Sequence, residues 1–323
     1  MDCLLRDANA SCFKVDCCQQ QSLNRRHGAI MSQPQFIQTI HLSDYAILSV
    51  KGPDSERFLQ GQLTCDAVKL ADQHWQTGAC CTAKGRMVAN FIIARSGSDY
   101  LLRLPIAQAE ALQQHLSRYA VFYKTTMAIE SDLQVIGKIP AEASQATLEG
   151  QHPLLQTDSS YVLSWPDGRE ECWSAAETAD ATDDVSAWAA LDIEEGIVWV
   201  TAASREAWVP QFVDMTAQGG ISFHKGCYTG QEIVARLQYL GKTKKHLVKA
   251  SSDVPLTAEI TGHITDGNGK NIGEIAAWQQ DKGLIIIQGE LPTHAQIGEN
   301  TVQLSELFYT EEMSAEESAQ SNE

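Results

Sequence analysis

The stretch Gly219-Gly220-Ile221-Ser222-Phe223-His224-Lys225-Gly226-Cys227-Tyr228-Thr229-Gly230-Gln231-Glu232 sets glycines, a lysine and a cysteine ahead of an apolar run through Ile233, Val234 and Leu237. Thr229 followed by Glu232 has the pattern of a capping box, in which hydroxyl and carboxylate satisfy each other's backbone N–H groups. A helix is therefore predicted to start there. Tyr228 and Ile233 have the spacing of the accompanying hydrophobic staple. The predicted helix carries Ile233, Val234 and Leu237 inward and Arg236 on another face.

That start places Cys227 close to a helix N-terminus and two residues after Lys225. Both the helix dipole and an ammonium favour a thiolate, which makes Cys227 the candidate reactive thiol of the chain. The alternative is a small buried residue in a tight, glycine-flanked turn. Cys65, Cys80, Cys81 and Cys172 fall in strand-like or loop contexts without such help and are read as structural. Cys3, Cys12, Cys17 and Cys18 lack the paired spacing of a zinc site, and no metal is expected.

Outward from this segment, strands are predicted at 45–50, 87–93, 100–104, 133–139 and 161–165. Asp54 and Ser55 are candidate caps of a short helix carrying Phe58 and Leu59. A longer amphipathic helix places Ala109, Leu112, Leu116 and Tyr119 on one face, and another spans 185–196 with Trp188, Leu191 and Glu195. Beyond Gly241 the pattern changes to short β-rich runs at 246–250, 259–265, 272–278, 283–288 and 301–308, with a turn at Asp266-Gly267-Asn268-Gly269. The fold class is α+β with mostly antiparallel sheets, closed by a small C-terminal barrel or sandwich. The expected division is an unstructured or spurious extension over 1–30 before Met31, a main region over 31–240, a β-barrel over 241–309 and an acidic tail over 310–323.

The 323 residues are 43% hydrophobic and 20% charged, an ordinary soluble balance. No run approaches the about 18 apolar residues of a membrane span, and the first thirty residues lack the apolar run of a signal peptide, so the expected location is the cytoplasm. Lys plus Arg number 24 against 41 Asp plus Glu, a net charge of −17. Such a surface repels phosphate backbones overall, and any contact with RNA needs a local basic patch. Nine cysteines in a cytoplasmic chain are read as free thiols.

Lys225-Gly226-Cys227-Tyr228-Thr229-Gly230-Gln231-Glu232 resembles the signature of the YgfZ family of folate-binding, tRNA-modifying proteins. Leu42–Ala46, Ala83–Met87, Tyr119–Phe122 and Ala189–Gly196 are similar to further family segments, so the resemblance runs from Ile40 to Tyr309. It implies a folate-binding region of the glycine-cleavage T-protein type with ferredoxin-like parts, followed by a β-barrel. It also implies roles in tRNA methylthiolation, iron–sulfur enzyme maintenance and regulation of the replication initiator DnaA.

A pterin is a flat aromatic with a polar edge; it calls for a ring to stack on, a carboxylate or amide for the edge, and cations for the glutamate tail. The resemblance assigns the aromatic positions to Trp188 and to Tyr45, where Trp is usual. Both have the alternative of being ordinary core aromatics. Glu195 is the candidate for the pterin edge, with a solvated helix-end acid as its alternative. In T-protein the segment similar to 83–91 carries an acidic pair that assists the chemistry; here Ala89-Asn90 stands in its place. Neither side chain supplies a carboxylate, so a conventional aminomethyltransferase is disfavoured. Arg236, Lys242, Lys244, Lys245 and Lys249 form the dense basic run, a candidate surface for RNA or an acidic partner, with a solvated loop as alternative. The leading expectation is a folate-binding accessory protein working with tRNA-modifying iron–sulfur enzymes. The alternatives are a folate-dependent one-carbon transferase using Cys227, and a module for which folate is a regulatory ligand.

Overall fold

A computed structural model describes residues 35–158, 160–176, 178, 180–240 and 244–310. The expectations for 1–30 and for the tail after Thr310 lie outside the described residues, as does Lys242. The elements run β1 (Phe36–His41), β2 (Tyr45–Lys51), α1 (Ser55–Gln60), β3 (His74–Cys81), β4 (Met87–Ser96), β5 (Asp99–Pro105), α2 (Ile106–Ala120), β6 (Thr126–Ile129), β7 (Gln134–Pro140), β8 (His152–Gln156), β9 (Ser160–Ser164), β10 (Glu170–Ser174) and α3 (Ser186–Glu194). A 3-10 turn (Pro210–Val213) and α4 (Gln231–Tyr239) precede β11 (Lys245–Ser252), β12 (His263–Thr265), β13 (Asn271–Gln279), β14 (Lys282–Gln288), β15 (His294–Ile297) and β16 (Asn300–Ser305).

The first ten strands form one sheet in the order β1-β7-β10-β9-β8-β3-β4-β5-β2-β6. Its two halves meet where His74 and Trp75 pair with Pro153 and His152. β4 is buried along its first eight residues, as a strand covered on both faces must be. One cover is α2, which packs Ala109, Leu112 and Leu116 against Leu48, Phe91 and Leu102. Tyr119, expected on that inner face, is 39% exposed and lies against the His115 ring, with centroids 5.4 Å apart.

The C-terminal strands close a barrel in the order β11-β14-β13-β12-β15-β16. β14 shows why its sequence is continuously apolar. Ile285 and Ile287 join the barrel interior with Val248 and Ala250. Leu284 and Ile286 face the opposite way, into a core shared with Val234, Trp208 and Ala79. The barrel is thus welded to the sheet region through the outward faces of neighbouring strands, since Leu247 of β11 and Ala276 of β13 join the same core. The strand predicted over 259–265 begins only at His263, because Thr261 takes a left-handed φ of 66° and Gly262 N–H turns back to Glu259 O at 2.9 Å.

Candidate functional site

The loop before α4 wraps over the start of the sheet. Ser222 N–H donates to Thr64 O at 2.9 Å and Thr229 N–H to Gly61 O at 3.1 Å. Lys225 Nζ donates to Leu63 O at 2.8 Å and Cys65 O at 2.6 Å. Burial depresses the Lys225 pKa, opposed by its neighbours Cys65 and Asp66. The capping box predicted for Thr229 does not form. Its hydroxyl pairs with Gln62 Oε1 at 3.2 Å, and Gly230, at φ 88°, is the N-cap of a helix that begins at Gln231. Glycine is required there, since a Cβ on Gly230 would lie 2.5 Å from Thr82 O. Of the residues expected inward on α4, Val234 is buried and Ile233 and Leu237 are half-buried; Arg236 is exposed.

Cys227 is exposed, whereas Cys65, Cys80 and Cys81 are buried. The helix start lies farther from it than the sequence pattern indicated, and the Lys225 ammonium is committed to the carbonyls of Leu63 and Cys65. The loop therefore presents an accessible thiol without the flanking charge expected for it.

A second region brings Tyr45 and Trp188 into one buried network. Arg103 forms a two-pronged ion pair with Glu171, Nε to Oε1 at 2.9 Å and Nη2 to Oε2 at 2.8 Å. Its guanidinium lies 4.3 Å from the Tyr45 ring centroid and 4.6 Å from that of Trp199. Arg169 pairs with Asp167 and Asp192, each at 2.6 Å, and lies 4.5 Å from the Trp188 ring centroid and 4.3 Å from that of Trp165. Trp199 Nε1 donates to the other Asp192 oxygen at 2.8 Å. Burial opposes the charge on both arginines, but the carboxylates outweigh it and hold their pKa values above the ordinary one. Burial, and then Asp192, push the Tyr45 hydroxyl well above its usual range.

The rings differ in access. Trp188 is 1% exposed and packs so tightly on Gly137 that a Cβ there would lie 2.6 Å from the indole. Trp165 and Trp173 are also buried, while Tyr45 and Trp199 are half-buried and form the outer wall. Four buried donors of this network have no acceptor among the described residues: Arg103 Nη1, Arg169 Nη2, Trp165 Nε1 and Trp188 Nε1. Leaving such groups unmade costs about 1–3 kcal/mol each. Arg103, Arg169, Asp192 and Trp199 were missed by sequence reasoning, since nothing in their spacing announces a shared site.

Glu195, just past α3, is 2% exposed, not a solvated acid. It accepts Ala146 N–H at 2.7 Å, and burial pushes its carboxyl up to about 7. Asn90 is also buried and clamps the extended segment after α3. Its Nδ2 donates to Val198 O at 2.7 Å and its Oδ1 accepts Val200 N–H at 2.7 Å. A carboxylate could not donate to Val198 O, so the amide is what this backbone contact demands. The described part of the basic run is partly paired. Lys245 pairs with Glu274 at 2.8 Å and Lys249 with Glu194, leaving Arg236 and Lys244 as its exposed described members. No group of metal-ligating side chains occurs among the described residues, and none of their helices is long and apolar enough to cross a membrane.

No protein-family model matches the chain. Its fold is similar to that of the glycine cleavage system aminomethyltransferase T from Bartonella henselae, with a TM-score of 0.52 at 14% identity over 84% of this chain and 85% of that one. The ten-stranded sheet followed by a closed barrel is therefore the aminomethyltransferase T-protein fold. Within that class, the chain is 34% identical over 272 residues to tRNA-modifying protein YgfZ of Klebsiella pneumoniae (strain 342), covering 76% of this chain and 83% of the relative. It is 33% identical over 280 residues to the protein of that name from Colwellia psychrerythraea, covering 78% and 86%. The chain belongs to the YgfZ family.

Proposed function

We propose that the protein binds a reduced folate at the Arg103–Arg169 network and acts as an accessory factor in tRNA modification, supporting iron–sulfur enzymes rather than transferring aminomethyl groups itself. A regulatory link to DnaA belongs to the same reading as its outermost extension. The observation that carries the folate assignment is the set of four buried, unpaired N–H donors behind two half-buried rings. A folate offers the matching features, carbonyl and carboxylate acceptors on a flat ring system. Tyr45 and Trp199 are the rings solvent can reach for stacking, and Trp188 contributes its indole N–H. The Glu195 carboxyl, held up to about 7 by burial, can accept or donate at a pterin edge near neutral pH.

Two further observations support an accessory role. Asn90, standing where the T-protein resemblance places an acid, is spent on Val198 and Val200. The relatives from Klebsiella and Colwellia carry the name tRNA-modifying protein. Among the described residues, Cys227 is the exposed thiol available for sulfur, cluster or one-carbon handling.

Titration of tryptophan fluorescence with tetrahydrofolate tests the folate assignment. Tyr45→Ala, at a half-buried wall position, is expected to weaken binding by about tenfold, the loss of one stacked ring. No quench with any reduced folate overturns it. Complementation of a strain lacking the protein, read as tRNA methylthiolation, tests the accessory role.

A further inference from the structure

Where α2 ends, Val121 and Phe122 stand 74% and 93% exposed, beside Tyr119 at 39%. The exposure follows from how the turn is anchored. Tyr123 points inward onto Phe58, with ring centroids 5.3 Å apart, and its N–H donates to Ala120 O at 2.8 Å. Lys124 N–H donates to Asp54 Oδ2 at 2.8 Å, and Asp54 N–H returns to Lys124 O at 3.4 Å. With Tyr123 fixed inward, Phe122 is held outward.

Cations border this apolar edge. Arg118 lies one helical turn before Phe122, Lys124 follows it, and Arg57 sits 5.9 Å from the Tyr123 ring centroid. All three are exposed, and none has an acid within ion-pair reach among the described residues. The acids close by are engaged: Asp54 holds the Lys124 backbone and Glu56 pairs with Arg95 at 3.1 Å. A chain of net charge −17 thus keeps three unmatched cations on and beside the turn that carries an exposed phenyl ring.

We propose that this face binds an unpaired segment of RNA, with a base stacked on Phe122 and phosphates held by Arg57, Arg118 and Lys124; the inference rests on the proposed role in tRNA modification. Unpaired bases expose their faces to aromatic side chains, and cations beside the ring take the backbone. Duplex RNA offers no free base face to Phe122. A second copy of the chain docked symmetrically would set the same three cations against themselves. The basic run after α4 has a single exposed aromatic, Tyr239, and is partly neutralised by Glu274 and Glu194.

Fluorescence anisotropy of the full chain with a labelled single-stranded RNA, and with the same strand in a duplex, tests the proposal. The single strand is expected to bind more tightly. Phe122→Ala should weaken it about tenfold, the loss of one stacked base, and Phe122→Trp should retain it. Arg118→Gln should flatten the slope of log K against log salt by about 0.7. Equal affinity for the duplex, binding untouched by Phe122→Ala, or a Phe122-dependent dimer or protein complex without RNA affinity each overturns the proposal. If RNA ignores this face while cells still need the protein for tRNA methylthiolation, the surface alone is lost. If methylthiolation persists without the protein, the underlying functional reading falls with it.

Discussion

The Arg103–Arg169 network and the Cys227 loop hold their polar groups in opposite ways. In the network two guanidiniums and three carboxylates are removed from water, paired at 2.6 to 2.9 Å and boxed in by indole rings. In the loop, backbone carbonyls and a single lysine fix the chain, and the thiol is left in solvent. The first arrangement is costly to break and slow to rearrange, which suits a site that must present fixed donors to a planar ligand. The second tolerates change at the thiol while preserving the loop, which suits a group that meets other molecules. Stability and chemistry are therefore expected to separate between the two regions.

The largest effect is expected from breaking the dry network. Arg169→Met keeps the volume but leaves Asp167 and Asp192 buried without their cation. Removing one partner of a buried pair costs about 3–5 kcal/mol, because the stranded charge remains. The urea midpoint should fall accordingly, with an unchanged slope. A loss under about 1 kcal/mol would mean that water reaches the carboxylates, and the contrast with the loop would collapse.

Glu195, at the edge of the same network, sharpens the comparison by its pH dependence. Burial lifts its carboxyl to about 7 from an ordinary value of 4.5, so between those values the folded chain holds a proton that the unfolded chain has released. Its contribution is complete below the unfolded pKa and is lost as pH rises through the folded one. Asp214, also raised to about 7 by burial, acts in the same direction. Glu195→Gln should retain acceptance of the Ala146 N–H and raise stability at alkaline pH by about 1–2 kcal/mol, with little change at acid pH. Urea midpoints at the two pH extremes measure this. A variant as pH-sensitive as the parent would assign the alkaline loss to Asp214.

The two regions were also unequally legible in the sequence. Periodicity revealed β2, β4, β5, α2, α3 and most of the barrel, because apolar residues recur there at the spacing of the element. β3 and β10 are not among the predicted strands: His74–Cys81 mixes Gly and Cys with polar residues, and Glu170–Ser174 includes Glu171, a carboxylate buried against Arg103 and the Trp173 indole N–H. The loop was legible as a motif, yet its local geometry was not. Thr229 turned to Gln62, and Lys225 to carbonyls supplied from residues 63 and 65, partners more than 150 positions away. The network was half legible. Tyr45, Trp188 and Glu195 came from resemblance and composition, while Arg103, Arg169, Asp192 and Trp199 became visible only once β5, β10 and α3 had been brought together.

The smallest effect on stability, and the sharpest contrast, is expected at residue 227. The side chain is exposed, and the contacts that hold its loop run through Ser222, Lys225, Thr229 and Gly230. Cys227→Ser should therefore shift the unfolding midpoint by no more than about 0.5 kcal/mol, as for an ordinary surface change. Labelling of the native protein with a thiol reagent should lose one rapidly reacting group in the variant, whereas Cys80→Ser, at a fully buried strand position, should leave the rapid phase intact. Burial also pushes the Cys65 and Cys81 thiols up, to about 11 and about 12, so those groups stay protonated and slow beside an exposed one. If tRNA methylthiolation fails in cells carrying Cys227→Ser while the purified variant keeps its midpoint and its folate affinity, the sulfur itself is what the loop was built to present. If all three survive, the thiol is dispensable, and the loop's role is confined to seating α4 against the sheet.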